Sequence, residues 1–305
     1  YATWAGYPVK DHTKWAEAAK TAKVLVESQK HDLLNDFKQL WENTCNGVWD
    51  DEESLIEVSF YAPTVTGVSA NDPCGRIGKW NGVKTTMLAG ERGSCAGNVK
   101  VIHPFVLKWR EKDLTDGEVY NPETVKDKRL NLSVANYQYS PNKVLYAKGK
   151  SDTDKKALEN DADSKLKNKE KQNYTPAKWD IEKYVKNKLI NNDKSNVNWY
   201  FLRYADVLLL YAEALNEWKQ GPTKEAYDAI NKVRERAYGN NKYNLKNLSY
   251  EDFRKAIQDE RAYELAFEGH RRMDLVRWDI YYKTVKETSN AITEWFFDDN
   301  MAKNK

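Results

Sequence analysis

The chain has 305 residues, with 49 Lys and Arg against 46 Asp and Glu for a formal charge of +3. A core can form at that length without staples, and the near balance removes a dedicated nucleic-acid module, whose affinity rests on surplus cations facing phosphates. A mean hydropathy of −0.86, with no uninterrupted apolar run of membrane-spanning length, excludes an integral helical membrane protein.

In chain order, the first predicted helix runs from Thr13 to about Leu34. Trp15, Ala18, Ala19, Ala22, Leu25 and Val26 recur at three- and four-residue spacing, and the alanines make a flat face for a helix not found earlier in the sequence. From Asn43 to about Gly149 the glycines and prolines of Pro63–Gly67, Pro73–Gly82 and Gly90–Gly97 mark turns. One strand is predicted at Ser54–Tyr61, where Ile56, Val58 and Phe60 alternate with Glu57 and Ser59, and a second through Asn131–Tyr139. Lys148 to Asn173 reads as a solvated loop.

Regularity returns at Trp199–Asp279. Tyr204, Val207, Leu208, Tyr211, Ala214, Leu215 and Trp218 form one apolar stripe, which assigns Trp218, like Trp15, Tyr204 and Tyr211, to the core. Gly221-Pro222 is expected to end that helix. Thr223 to Tyr238 follows, stopped by Gly239, and Ser249-x-x-Asp252 opens a third helix carrying Phe253, Ala256, Ile257, Leu265 and Phe267. Alanine-faced helices joined by a tight turn make a tetratricopeptide-like unit. The fold class is therefore mainly α: helical pairs packed against an irregular, loop-rich region with a few short strands.

Catalytic motifs are missing: no HExxH, Walker loop, dinucleotide fingerprint, nucleophile elbow or CxxC pair. His12, His31, His103 and His270 lie far apart. Asp152-x-Asp154 and Asp161-x-Asp163 lack the glycine and glutamate that complete a calcium loop, so no metal and no cofactor are expected. Three cysteines cannot make a dense disulfide framework, although Cys74 and Cys95 could pair in an oxidising compartment. Of 38 aromatic rings, 30 are Tyr or Trp, the rings that combine an apolar face with a polar edge. The charged block Glu260 to Trp278, with Glu260, Glu264 and Glu268 on one face and Arg261, Arg271, Arg272 and Arg277 near them, reads as structural: ion pairs that fix how its helix docks.

Three strings closely resemble the SusD-like (RagB/SusD) family: Arg203 to Glu217 (RYADVLLLYAEALNE), Ala229 to Ala237 (AINKVRERA) and Glu260 to Leu275 (ERAYELAFEGHRRMDL). Weaker similarity extends through Trp15–Ser28, Leu55–Phe60 and Asp127-Lys128-Arg129. The resemblance implies a cell-surface, outer-membrane lipoprotein that binds a glycan or other nutrient, without catalysis, and delivers it to a SusC-like TonB-dependent transporter. It implies one domain over residues 1–305, truncated at both ends: a tetratricopeptide-like helix in 1–43, a ligand-facing region in 44–198, the helix pair and signature helix in 199–279, and an incomplete segment in 280–305. Both ends lack the family's pattern, so the lipid anchor is expected outside this segment. The expected ligand is an oligo- or polysaccharide, not a nucleic acid.

Sugars offer C–H faces to Trp and Tyr and hydroxyl edges to Asn, Asp and Arg. The Cys74–Asn98 loop offers Arg76, Trp80, Asn81 and Arg92 among glycines, and Tyr61 and Trp49 are the next aromatic candidates. The competing expectation is a tetratricopeptide scaffold that recruits a protein partner through an exposed concave helical surface and has no ligand of its own.

Overall fold

The apolar stripes of the sequence converge on one central helix. A computed structural model describes residues 1–60, 75, 77–85, 95–116, 118, 121, 124–140, 143–146, 174–186 and 196–303. Its elements, in chain order, are α1 (Ala2–Ala5), α2 (Lys14–Glu27), α3 (Phe37–Cys45), β1 (Ser54–Val58), α4 (Ile77–Trp80), α5 (His103–Glu111) and α6 (Arg129–Ser133). Then come β2 (Val134–Ala135), β3 (Tyr137–Ser140), β4 (Lys143–Tyr146), β5 (Thr175–Pro176), α7 (Ile181–Tyr184) and β6 (Trp199–Arg203). The chain continues through α8 (Tyr204–Lys219), α9 (Lys224–Tyr238), α10 (Tyr250–Glu264), α11 (Arg271–Arg277) and α12 (Tyr281–Lys303).

Helices α2, α9 and α10 all pack on α8. Their shared core joins Trp15 and Ala19 of α2 to Tyr204, Leu208 and Tyr211 of α8, Ile230 and Val233 of α9, and Phe253 and Ile257 of α10. Ala18 and Ala22 lie against the same cluster, so the alanine face expected to await an earlier helix is filled by α8. Helix α2 ends at Glu27, well before the predicted Leu34, because Gln29 turns left-handed at φ +54°.

The connection from α8 to α9 also differs from expectation. Gln220, not Gly221, takes the left-handed cap, at φ +55°. The Thr223 hydroxyl then accepts from Ala226 N to cap α9, and Gly239 closes it at φ +71°. Ser249 caps α10 by accepting from Asp252 N, and its hydroxyl donates to the Asp252 carboxylate at 2.6 Å. Trp15, Tyr204 and Tyr211 are buried, but Trp218 is 39 % exposed. It sits in the last turn of α8, with Lys219 Nζ 3.6 Å from its ring centroid.

A second apolar cluster lies beneath the loop-rich side: Phe37, Leu40 and Trp41 of α3, Trp179, Ile181 and Tyr184 near α7, and Tyr200 of β6. The strand predicted at Ser54–Tyr61 is β1, which pairs antiparallel with β6 from Ser54↔Arg203 to Val58↔Trp199. The strand predicted through Asn131–Tyr139 is instead the end of α6 followed by β2 and β3. Lys148 to Asn173, with its acidic pairs, lies outside the described residues.

A buried lattice of charge joins the helical side to the loop-rich side. Arg203 spends all five of its N–H donors on Glu53, Glu264 and Glu268 side chains and the Glu264 carbonyl. Arg129 donates to Asp127, Glu260 and Glu264, and Arg236 to Glu53 and Glu264. Burial pushes the Glu264 carboxyl up, but Arg236, Arg203, Arg129 and Lys178 outweigh it and hold the group well below the usual carboxylate range. A neighbouring set joins Arg261 to Asp206 and Asp274, and Arg277 to Glu213 and Asp274. The signature string is thus an interior joint, and Glu268 enters it from beyond the end of α10.

Candidate functional site

Trp199 begins β6, and pairing with Val58 fixes its backbone. Its ring lies flat on Trp179, with centroids 4.9 Å apart and planes 7° from parallel. Trp179 is fully buried and meets Trp41 edge-on at 5.4 Å. An outer ring backed by two inner ones cannot turn without disturbing the second core, so Trp199 presents a fixed face.

Opposite stands α4. Asn81 N donates to the Ile77 carbonyl at 2.8 Å, closing this short helix. Gly82 lets it approach, since a Cβ there would lie 2.5 Å from the Trp179 carbonyl oxygen and 3.3 Å from Cys95 Sγ. The Trp80 ring, 42 % exposed, ends α4. The floor comes from Phe267 at φ +69°, and Gly269 at φ +90° follows it where the chain leaves α10 and passes Trp199.

Between these walls is an open cleft of about 480 Å³ lined by Ile77, Trp80, Asn81, Val99, Trp199 and Phe267. None of the six is charged. Among the described residues Asn81 Oδ1 has no hydrogen-bond partner, but it is buried beneath the lining rather than open to the cleft. Rings and one amide can hold a flat-faced, hydroxylated molecule. They offer no nucleophile and no general base. Among the described residues, no cluster of His, Cys, Asp and Glu could hold a metal ion.

A larger cleft, about 970 Å³, opens beside the loop before α3 and the end of α9. Lys232 there pairs with Asp32, and Arg129 and Arg236 are committed to the buried lattice. The ring among its lining residues, Phe37, is buried, so the cleft presents no aromatic face. The smaller cleft is the better candidate.

The structure therefore brings two sequence-predicted residues together, Trp80 and Asn81. Trp49 is exposed but does not line the cleft. Tyr61, Arg76 and Arg92 lie outside the described residues. Cys95 carries a free, buried thiol, pushed up to about 11 by burial, and Cys74 lies outside the described residues. Sequence reasoning missed Trp199 and Phe267. The pattern places Phe267 on the third helix, whereas that helix ends at Glu264, and Gly269 just beyond marks where a helix would end.

The sequence profile described as the SusD family matches residues 70–302. The chain belongs to the SusD family. It is similar to the crystal structure of a SusD homolog from Bacteroides thetaiotaomicron, with 63 % identity and a TM-score of 0.83 over 97 % of this chain and 54 % of that one. It is 48 % identical over 91 residues to SusD-like protein P25 of Formosa agariphila, a match covering 30 % of this chain and 17 % of that protein. Surface glycan-binding protein A from Bacteroides thetaiotaomicron, solved in complex with laminarihexaose, shares the fold at 18 % identity and a TM-score of 0.60, over 92 % of this chain and 53 % of that one. This SusD-family chain thus spans about half the length of these solved relatives.

Proposed function

We propose that this chain holds a glycan by stacking a sugar ring in the cleft between Trp80 and Trp199, with Asn81 at its edge. The uncharged lining favours a neutral sugar. The observation that carries the reading is the pre-stacked Trp199–Trp179 pair facing a second exposed indole. A site made of faces gives affinity without turnover, so the protein binds and does not cleave. In the whole protein, a lipid anchor at the outer-membrane surface and a SusC-like TonB-dependent transporter complete the role, as in the family it belongs to. The named ligand of one structural relative, laminarihexaose, fits the chemistry of such a cleft. A helical scaffold without its own ligand would have no use for a fixed indole platform on the loop-rich side.

The test is calorimetric titration of the full-length chain with neutral oligosaccharides, laminarihexaose among them. Trp80→Ala and Trp199→Ala are each expected to cost about 1 kcal/mol or more of binding. Unchanged affinity in both variants removes the site, and no binding across the panel removes the function.

A further inference from the structure

One wall of the cleft and its floor meet at one buried charge. Lys178 immediately precedes Trp179 in the chain and has no exposed surface. Its Nζ donates to Glu268 Oε1 at 2.6 Å and to the Glu264 carbonyl at 2.8 Å. The same ammonium lies 4.6 Å from the Trp41 ring centroid and 5.3 Å from that of Phe37. On one side it touches the base of the Trp41–Trp179–Trp199 column. On the other it grips the residue between Phe267, which floors the cleft, and Gly269, which passes Trp199.

We propose that Lys178 is the positioning residue of this site: its ammonium ties the segment bearing Trp179 to the loop bearing Phe267 and so fixes the Trp199 wall against the floor on which a sugar ring rests. The inference rests on the binding reading above. Arg203 also holds Glu268, at 2.7 and 2.9 Å, but it reaches from β6, the strand that carries Trp199. Among the described residues, Lys178 is the tie to Glu268 from the Trp179 side.

The groups facing this ammonium are Glu264 and Glu268 from α10 and its following loop, Arg203 from β6, and the uncharged rings Phe37 and Trp41 from α3. Burial is the largest influence and lowers the amine. Glu268 and Glu264 raise it and Arg203 lowers it, leaving it at about 8. The tie is charged below that pH and becomes a neutral amine above it, with a weaker hold on Glu268. Stability moves the other way. An unfolded lysine keeps its proton to about pH 10.5, so through this group alone the fold gains stability as pH rises from about 8. Weaker binding without weaker folding is a signature that a merely structural lysine would not give.

The experiment titrates the full-length chain with laminarihexaose from about pH 6.5 to about pH 9.5, with thermal melts at each pH. Affinity is expected to fall about tenfold across that range while the melting temperature does not fall with it. Lys178→Arg keeps the charge and should bind with no such pH dependence. Lys178→Met should bind about tenfold more weakly at every pH. If that variant does not fold, the wild-type pH profile decides. A flat wild-type profile, or unchanged affinity in a folded Lys178→Met protein, overturns the proposal. The exciton couplet of the stacked Trp179 and Trp199 indoles, with Trp199→Phe as its blank, gives a ligand-free reading. Should laminarihexaose fail to bind, the panel member that does bind replaces it, and should none bind at any pH, the binding reading falls. A couplet that then also ignores the pH rise overturns the positioning role, and one that fades through pH of about 8 sustains it.

Discussion

Replacing Arg203 is the sharpest test of the idea that the signature string is an interior joint. Its guanidinium is 1 % exposed and every one of its N–H groups is used, on three carboxylates and a carbonyl from two separate parts of the chain. Arg203→Met leaves Glu53, Glu264 and Glu268 short of a cation where water cannot reach. Breaking one buried pair from one side costs about 3–5 kcal/mol. Three carboxylates share this partner, which argues for the upper end, while Arg236 on Glu53 and Glu264 and Lys178 on Glu268 soften the loss. A net of about 4 kcal/mol follows, or a melting temperature lower by roughly 6 °C in a protein of this size. Arg203→Lys should fall between, since an ammonium offers three donors for five acceptor contacts. Calorimetric melts of the three proteins at neutral pH measure this. The gap from wild type should narrow as pH drops below about 4.5, where the wild-type fold begins to lose the stability that its depressed Glu264 and Glu268 carboxyls contribute. A Met variant within about 1 kcal/mol of wild type would falsify the reasoning.

Other expectations follow from the same geometry. Gly82→Ala must displace α4 from the Trp179 carbonyl, 2.5 Å from the new Cβ. It should cost about 1–3 kcal/mol and weaken cleft binding as well, as paired melts and titrations would show. Unaltered binding would mean that α4 does not set the cleft. Acid should destabilise the fold late and steeply. Burial raises the Asp127 carboxyl, but the Arg129 guanidinium outweighs it and holds the group at about 2, and Glu268 and Asp274 are also held below their usual range. Groups so depressed stabilise the fold above about pH 4 and release that stability as pH falls towards 2, about 2 kcal/mol for Asp127 alone. Asp127→Asn should flatten that limb of a pH-dependent denaturant series.

The helical half was legible in the sequence because its rules are local. Periodicity placed the faces of α8 and α9, and Thr223, Gly239 and Ser249 act as the caps their residue types suggest. Local rules failed where a left-handed residue has a side chain. Gln29 and Gln220 stop helices that propensity would continue, and neither is a glycine. The site was half legible. Trp80 and Asn81 stood out because glycine-rich loops rarely waste an indole. Trp199 and Phe267 did not, because their roles depend on a ring from residue 179 and on a φ of +69°. No pattern within a short window contains a contact between segments 20 or more positions apart. Glu260, Glu264 and Glu268 read as docking charges from their spacing, and they are, but their partners were hidden for the same reason: Arg129 and Arg203 reach them from distant segments.

The ion lattice also constrains how the molecule can assemble. Charges that lose water together behave as a latch, since closing half of it strands ions without partners and is worse than leaving it open. The two sides of the molecule should therefore shut in one step, and that step closes the apolar contact of Tyr263 and Ala266 on Val101, Trp109 and Leu130 along with the ions.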